Sequence, residues 1–239
     1  MVCLHGVTAH GGRFADLAAR LPGFRVVAPD LRGHGRSGWE PPWGIETHLT
    51  DVLETVDSEG IERAAWVGHS FGGRLVLELA ARHLERVERA ALLDPAIRIR
   101  PDLALVAAER ARADRVYLDP AKAMPGSRLY HTPPELLAAE RAEHLEPVGD
   151  GFHWRYCRSA RVTMIGELAA WGPRPEELSA PVLIVRGSDE SVVGPRQLER
   201  FRRALGDRLR LVEVPGGHEV LLDAFEETAA AVSVFLGEA

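Results

Sequence analysis

Short apolar runs recur along this chain, each closed by glycine, proline or aspartate: MVCLHG (1–6), FRVVAPD (24–30), AAWVG (64–68), RAALLDP (89–95), PVLIVRG (181–187) and LRLVEVPG (209–216). Most are apolar almost without interruption, as strands covered on both faces are. Between them, GGRFADLAARL, IETHLTDVLETVDSEG, RLVLELAARHL, PRQLERFRRAL and EVLLDAFEETAAAVSVFL place apolar residues at helical spacing. This alternation predicts an α/β fold: a doubly wound, mostly parallel sheet with helices on both faces.

The alternation breaks once. Residues 96–179 show no buried strand but a helical pattern interrupted by proline, with Tyr117, Tyr130, Phe152, Trp154, Tyr156 and Trp171 spread through it. This predicts an insertion folded over the sheet, with residues 1–95 and 180–239 forming the core. A length of 239 residues suits one large domain carrying such an insertion.

Composition narrows the function classes. The net charge is -6 and the arginines are scattered, which argues against a nucleic-acid binder with its basic stripe. Cys3 and Cys157 stand far apart, so neither a disulfide framework nor a zinc site is signalled. MVCLHG offers no charged leader, and no apolar stretch reaches membrane-spanning length. A cytoplasmic protein with no membrane span is the expectation. No HExxH, phosphate loop or dinucleotide fingerprint is present, so neither metal nor cofactor is expected.

The chemistry concentrates at GHSFGG, residues 68–73, where a strand gives way to a helix. Small residues there let the chain turn sharply and leave the Ser70 hydroxyl standing clear, with the Phe71 amide directed at the same spot. A glycine-rich turn carrying an incidental serine would look the same in isolation. A nucleophilic serine, however, needs a base, and His218 in VPGGHEV follows the last strand where that base would arrive. At the end of the first strand, His5-Gly6 frees backbone amides, that of Val7 foremost, to face a developing oxyanion beside Phe71.

Together LHG, PDLRGHGRS (29–37), VGHSFGG, LLDPA and PGGH resemble the α/β-hydrolase superfamily in its esterase-like branch. The resemblance implies that residues 96–179 form a helical cap and that PDLRGHGRS is a structural loop. The family normally has two strands and a hairpin before the LHG strand, so either this sequence starts late or the sheet lacks them. An edge exposed on that side would favour a homodimer.

The triad acid is left open. The family's usual register points to Glu190 in RGSDES, residue type points to Asp189 beside it, and Asp94 in LLDPA matches a position that some members use. Trp154, Tyr156, Met164 and Trp171 are candidates for lining a substrate pocket. The expected activity is hydrolysis of carboxylic esters of small molecules through an acyl-enzyme. Carbon–carbon bond, thioester and lactone hydrolysis would use the same residues, and a hydrolase-fold binding protein without turnover is the alternative of a different class.

Overall fold

The computed structural model describes residues 1–113, 115–123 and 132–237. Tyr130 lies outside the described residues. Five parallel strands form the central sheet: β1 (Val2–Leu4), β2 (Ala64–His69), β3 (Val87–Leu93), β6 (Val182–Gly187) and β7 (Leu209–Val214), in the order β1-β2-β3-β6-β7. Helices α1 (Ala15–Arg20), α2 (Ile45–Ser58), α3 (Phe71–Arg82) and α7 (Pro195–Leu205) run between them, and α8 (Val220–Asp223) and α9 (Phe225–Gly237) follow the last strand.

The period-2 geometry of strands divides the core in two. Val2, Leu4, Ala64, Trp66, Ala90, Leu92, Val182 and Ile184 pack with α2, α3 and α7 on one face. Their alternates Cys3, Ala65, Val67, Ala91, Leu93, Leu183 and Val185 pack with α1, α8 and α9 on the other. Helix α2 shows how the sequence selects its inner face: Ile45, His48, Leu49, Val52 and Val56 are buried at helical spacing. Among the described residues, no helix is long and apolar enough to cross a membrane.

Three expectations are corrected. FRVVAPD, residues 24–30, is not a full strand. Val27 makes a single bridge to Val2, with Cys3 N–H donating to the Val27 carbonyl at 2.8 Å and Val27 N–H to that of Met1 at 3.0 Å. Because β1 is only three residues long, there is room beside it for little more. The final helical run is broken at Ala224, where the backbone leaves helical geometry (φ -144°).

The insertion between β3 and β6 is not wholly helical. Helices α4 (Pro101–Arg112), α5 (Pro134–His144) and α6 (Arg158–Glu167) are joined by an antiparallel hairpin of β4 (Leu145–Val148) and β5 (Gly151–Trp154). Gly149, with φ +53°, turns the hairpin.

Candidate active site

The backbone builds the site first. Ser70 sits between β2 and α3 at φ +53° and ψ -114°, a conformation costly for a residue with a side chain. Two glycines make the turn possible. A Cβ on Gly68 would fall 2.4 Å from the Gly72 carbonyl oxygen, and one on Gly72 would fall 2.0 Å from that of Leu4. Among the described residues, Thr8, Ser70 and Asp94 are the non-glycine residues with positive φ; Ser70 and Asp94 directly follow β2 and β3, and Thr8 lies in the loop after β1.

His218 joins the other two groups. Its Nε2 lies 2.9 Å from Ser70 Oγ, and its Nδ1 lies 2.5 Å from Asp94 Oδ2. An ionised carboxylate can only accept, so Nδ1 carries the proton and Nε2 presents a lone pair to the serine hydroxyl. Asp94 is completely buried. Its charge is met by the Val192 N–H at 3.1 Å on Oδ2 and by the Ser191 hydroxyl on Oδ1.

Sequence register pointed to the loop of residues 188–192, which meets the site through Asp94 rather than through His218. Residues 188–192 do not place Asp189 or Glu190 on the histidine, because both ring nitrogens of His218 are taken by Asp94 and Ser70. Instead the loop wraps the Asp94 carboxylate with donors. Asp189 is exposed and accepts a hydrogen bond from Ser188 at 2.8 Å. Ser191 was missed by sequence reasoning, and its only signal was its place one residue beyond the acidic pair.

Phe71 opens α3, so its N–H is among those with no acceptor inside the helix. The loop after β1 runs against the serine: a Cβ on Gly6 would lie 2.9 Å from Ser70 Cβ. His5 holds this loop. Leu31 N–H donates to its Nε2 at 2.8 Å, which leaves Nδ1 to donate to the Gly6 carbonyl at 2.8 Å. That bond fixes the peptide plane whose other end is the Val7 N–H. Burial holds His5 well below its ordinary pKa, and nearby His34 adds to the effect, so the ring is neutral.

A second network lies behind the histidine. His69 Nε2 donates to the His218 carbonyl at 2.9 Å. Glu219 accepts from Arg13 at 2.8 Å, and Arg13 is also paired with Glu140 of α5, tying insertion to core beside the site. His69, His218 and Glu219 come close enough to suggest metal ligation. Each is already engaged in these internal hydrogen bonds and ion pairs.

The pocket candidates scatter. Tyr156 is half-buried and faces His34, with ring centroids 6.3 Å apart. Met164 is fully buried in the core cluster on the α2/α3 face. Trp171 is 71% exposed, stacked under the Arg98 guanidinium at 3.7 Å, and so is a surface residue rather than a pocket wall. Trp154 is buried in the hairpin opposite Leu145. In PDLRGHGRS, Asp30 accepts from the Gly11 and Arg36 amides, and Arg32 pairs with Asp51 of α2.

The family model described as "Alpha/beta hydrolase family" matches residues 1–231. Lipase LipV of Mycobacterium tuberculosis is 34% identical over 243 residues, covering 99% of this chain and 93% of its own. The 3-hydroxybutyrate-oligomer hydrolase of Cupriavidus necator is 29% identical over 268 residues, covering 99% of this chain and 88% of its own. Among solved structures, the enol-lactonase from Burkholderia xenovorans LB400 superimposes with a TM-score of 0.82 at 26% identity, covering 99% of this chain and 91% of that one.

Proposed function

The chain belongs to the alpha/beta hydrolase family, with relatives named as lipases and hydrolases, and on that premise we propose that it cleaves carboxylic esters through an acyl-enzyme at Ser70. The observation that carries this reading is the unbroken relay of 2.9 Å from Ser70 to His218 and 2.5 Å from His218 to Asp94.

In the first half-reaction Ser70 Oγ attacks the ester carbonyl as His218 Nε2 takes its proton. The resulting imidazolium is stabilised by buried Asp94, and the oxyanion is met by the Phe71 and Val7 amides. The tetrahedral species collapses, the carbon–oxygen bond to the alcohol breaks, and His218 returns the proton to the leaving alkoxide. Water then enters, gives its proton to His218 and attacks the acyl-enzyme. The second collapse releases the carboxylic acid and restores the Ser70 hydroxyl. In this reading residues 96–179 are a cap over the reacting groups.

The test is initial-rate hydrolysis of a p-nitrophenyl ester series by the wild type and by Ser70→Ala. Hydrolysis that falls to background in the variant is expected. Hydrolysis that persists in Ser70→Ala at the wild-type rate would overturn the proposal.

A further inference from the structure

Among the described residues, one arginine near the candidate oxyanion loop has no carboxylate partner. Arg161 is half-buried in α6, and its Nε is shielded from solvent without a hydrogen-bond partner. Among the described residues, three other arginines have a buried Nε without an aligned hydrogen bond: Arg86, Arg155 and Arg186. In each of those the charge is met by a carboxylate, from Asp57, Glu146 and Glu213 respectively. No carboxylate is paired with Arg161 among the described residues. Among the described residues its side chain meets Tyr156, with Nη1 3.5 Å from the hydroxyl, at the outer limit of a hydrogen bond, and Cζ 5.6 Å from the ring centroid.

The position of this charge is what makes it informative. Arg161 and Ile165 are four residues apart on α6 and share a face, about 6 Å apart. Ile165 belongs to the apolar cluster of Ala104 and Ala111 on α4 that Val7 packs against. Arg161 thus stands one helical turn from the residues touching Val7. On its other side Tyr156 faces His34, whose Nε2 accepts the Thr8 N–H at 3.4 Å. Residues 6–8 are the loop that passes Ser70, so both neighbours of Arg161 lead back to that loop.

We propose that Arg161, with the Tyr156 hydroxyl beside it, receives a carboxylate carried by the ester substrate, so that the enzyme acts on esters bearing a second, anionic group. Leaving a guanidinium half-buried without an anion is costly, and the described residues supply no carboxylate paired with it to offset that cost. With Nε shielded, the two Nη atoms form the edge that an end-on, two-point carboxylate contact uses. Burial raises the Tyr156 pKa, which keeps its hydroxyl protonated as a third donor. The inference rests on the serine-hydrolase reading given above and narrows its substrate class.

The experiment compares matched ester pairs that differ in charge. Monoethyl succinate, glutarate and adipate are set against neutral ethyl esters of similar chain length, which places the carboxylate on the acyl side. 3-Acetoxybenzoate is set against phenyl acetate, which places it on the alcohol side. The quantity read is the ratio of kcat/KM for the anionic member to that for the neutral member, in the wild type, Arg161→Met and Arg161→Lys.

In at least one pair the wild-type ratio should exceed one. It should fall at least about tenfold in Arg161→Met, the usual loss for a hydrogen bond between charged partners, with Arg161→Lys between the two. A wild type that favours the neutral member of every pair would overturn the proposal, and so would a ratio that Arg161→Met leaves unchanged. Labelling of Ser70 by a phosphonate separates the two levels. A labelled enzyme without charge preference refutes this inference alone. An enzyme that neither labels nor hydrolyses any ester refutes the serine-hydrolase reading, and this inference falls with it.

Discussion

Asp94 and His218 are separated by 124 residues, and their side chains meet at 2.5 Å in the buried floor of the site. The carboxylate comes from the end of the strand after the helix that Ser70 precedes, and the imidazole comes from the loop after the last strand; in the proposed reaction they are acid and base. Asp94→Asn should therefore cut kcat by roughly 10⁴-fold, because an amide at this place favours the wrong imidazole tautomer. Glu190→Gln and Asp189→Asn should each change kcat less than about tenfold. Steady-state kinetics of the three variants decide the matter: a loss in Glu190→Gln matching that in Asp94→Asn would contradict the assignment.

Ser191 donates to the Asp94 carboxylate beside the Val192 N–H of the same loop. Its removal leaves a buried charge one donor short, which should cost about tenfold to a hundredfold in kcat. KM should move little. Restoration by Ser191→Thr would identify the hydroxyl as the cause, while a Ser191→Ala enzyme at full kcat would contradict the role.

The backbone at Ser70 stores strain, at φ +53° and ψ -114°. Glycine occupies that region freely and alanine does not. Both Ser70→Gly and Ser70→Ala should be inactive, yet the glycine variant should be the more stable by roughly 1–2 kcal/mol. Thermal melts of the pair test this. An alanine variant that melts higher would show the turn to be unstrained.

Three buried histidines should make the fold acid-sensitive. Burial holds His34 and His48 down to about 4 and pushes His5 well below its ordinary value. The unfolded rings titrate near about 6.5. As pH falls from about 6.5 towards 4, the unfolded chain takes up protons that the folded chain refuses, so this stability is complete above about 6.5 and lost on the way down. Denaturant midpoints should fall across that window, and His48→Phe should flatten the slope. A slope unchanged in His48→Phe would contradict the prediction.

Glu140 acts in a lower window. Burial works to raise its pKa, but His10 and Arg13 outweigh it and hold the carboxyl at about 2. A carboxylate depressed on folding contributes stability above its unfolded value, near about 4.3, and loses it as pH falls towards 2. Glu140→Gln should therefore lower stability at neutral pH and shrink the further loss between about pH 4.3 and 2. Equal wild-type and variant curves would contradict a role for the Arg13–Glu140 pair in tying insertion to core.

The sheet was readable because its strands are nearly continuous apolar runs, and PRQLERFRRAL matches α7 end to end because its buried residues Leu198, Phe201 and Leu205 hold one helical face. Ser70, His218 and the turns around them were legible because sharp turns demand glycine, and glycine is visible in sequence. The carboxylate that meets His218 was not, since which one reaches it depends on how residues 188–192 fold over the end of β3. The hairpin of β4 and β5 was missed for a different reason: each strand is four residues long, and Pro147 interrupts the first.

Reaction with diethyl p-nitrophenyl phosphate tests the central claim most directly, because the reagent reports nucleophile and site in one step. The expected result is a burst of about one equivalent of p-nitrophenol, with the diethylphosphoryl group on the peptide containing Ser70 and no burst in Ser70→Ala or His218→Ala. A folded wild type that shows no burst, or carries the label on another residue, would contradict a Ser70–His218–Asp94 catalytic site.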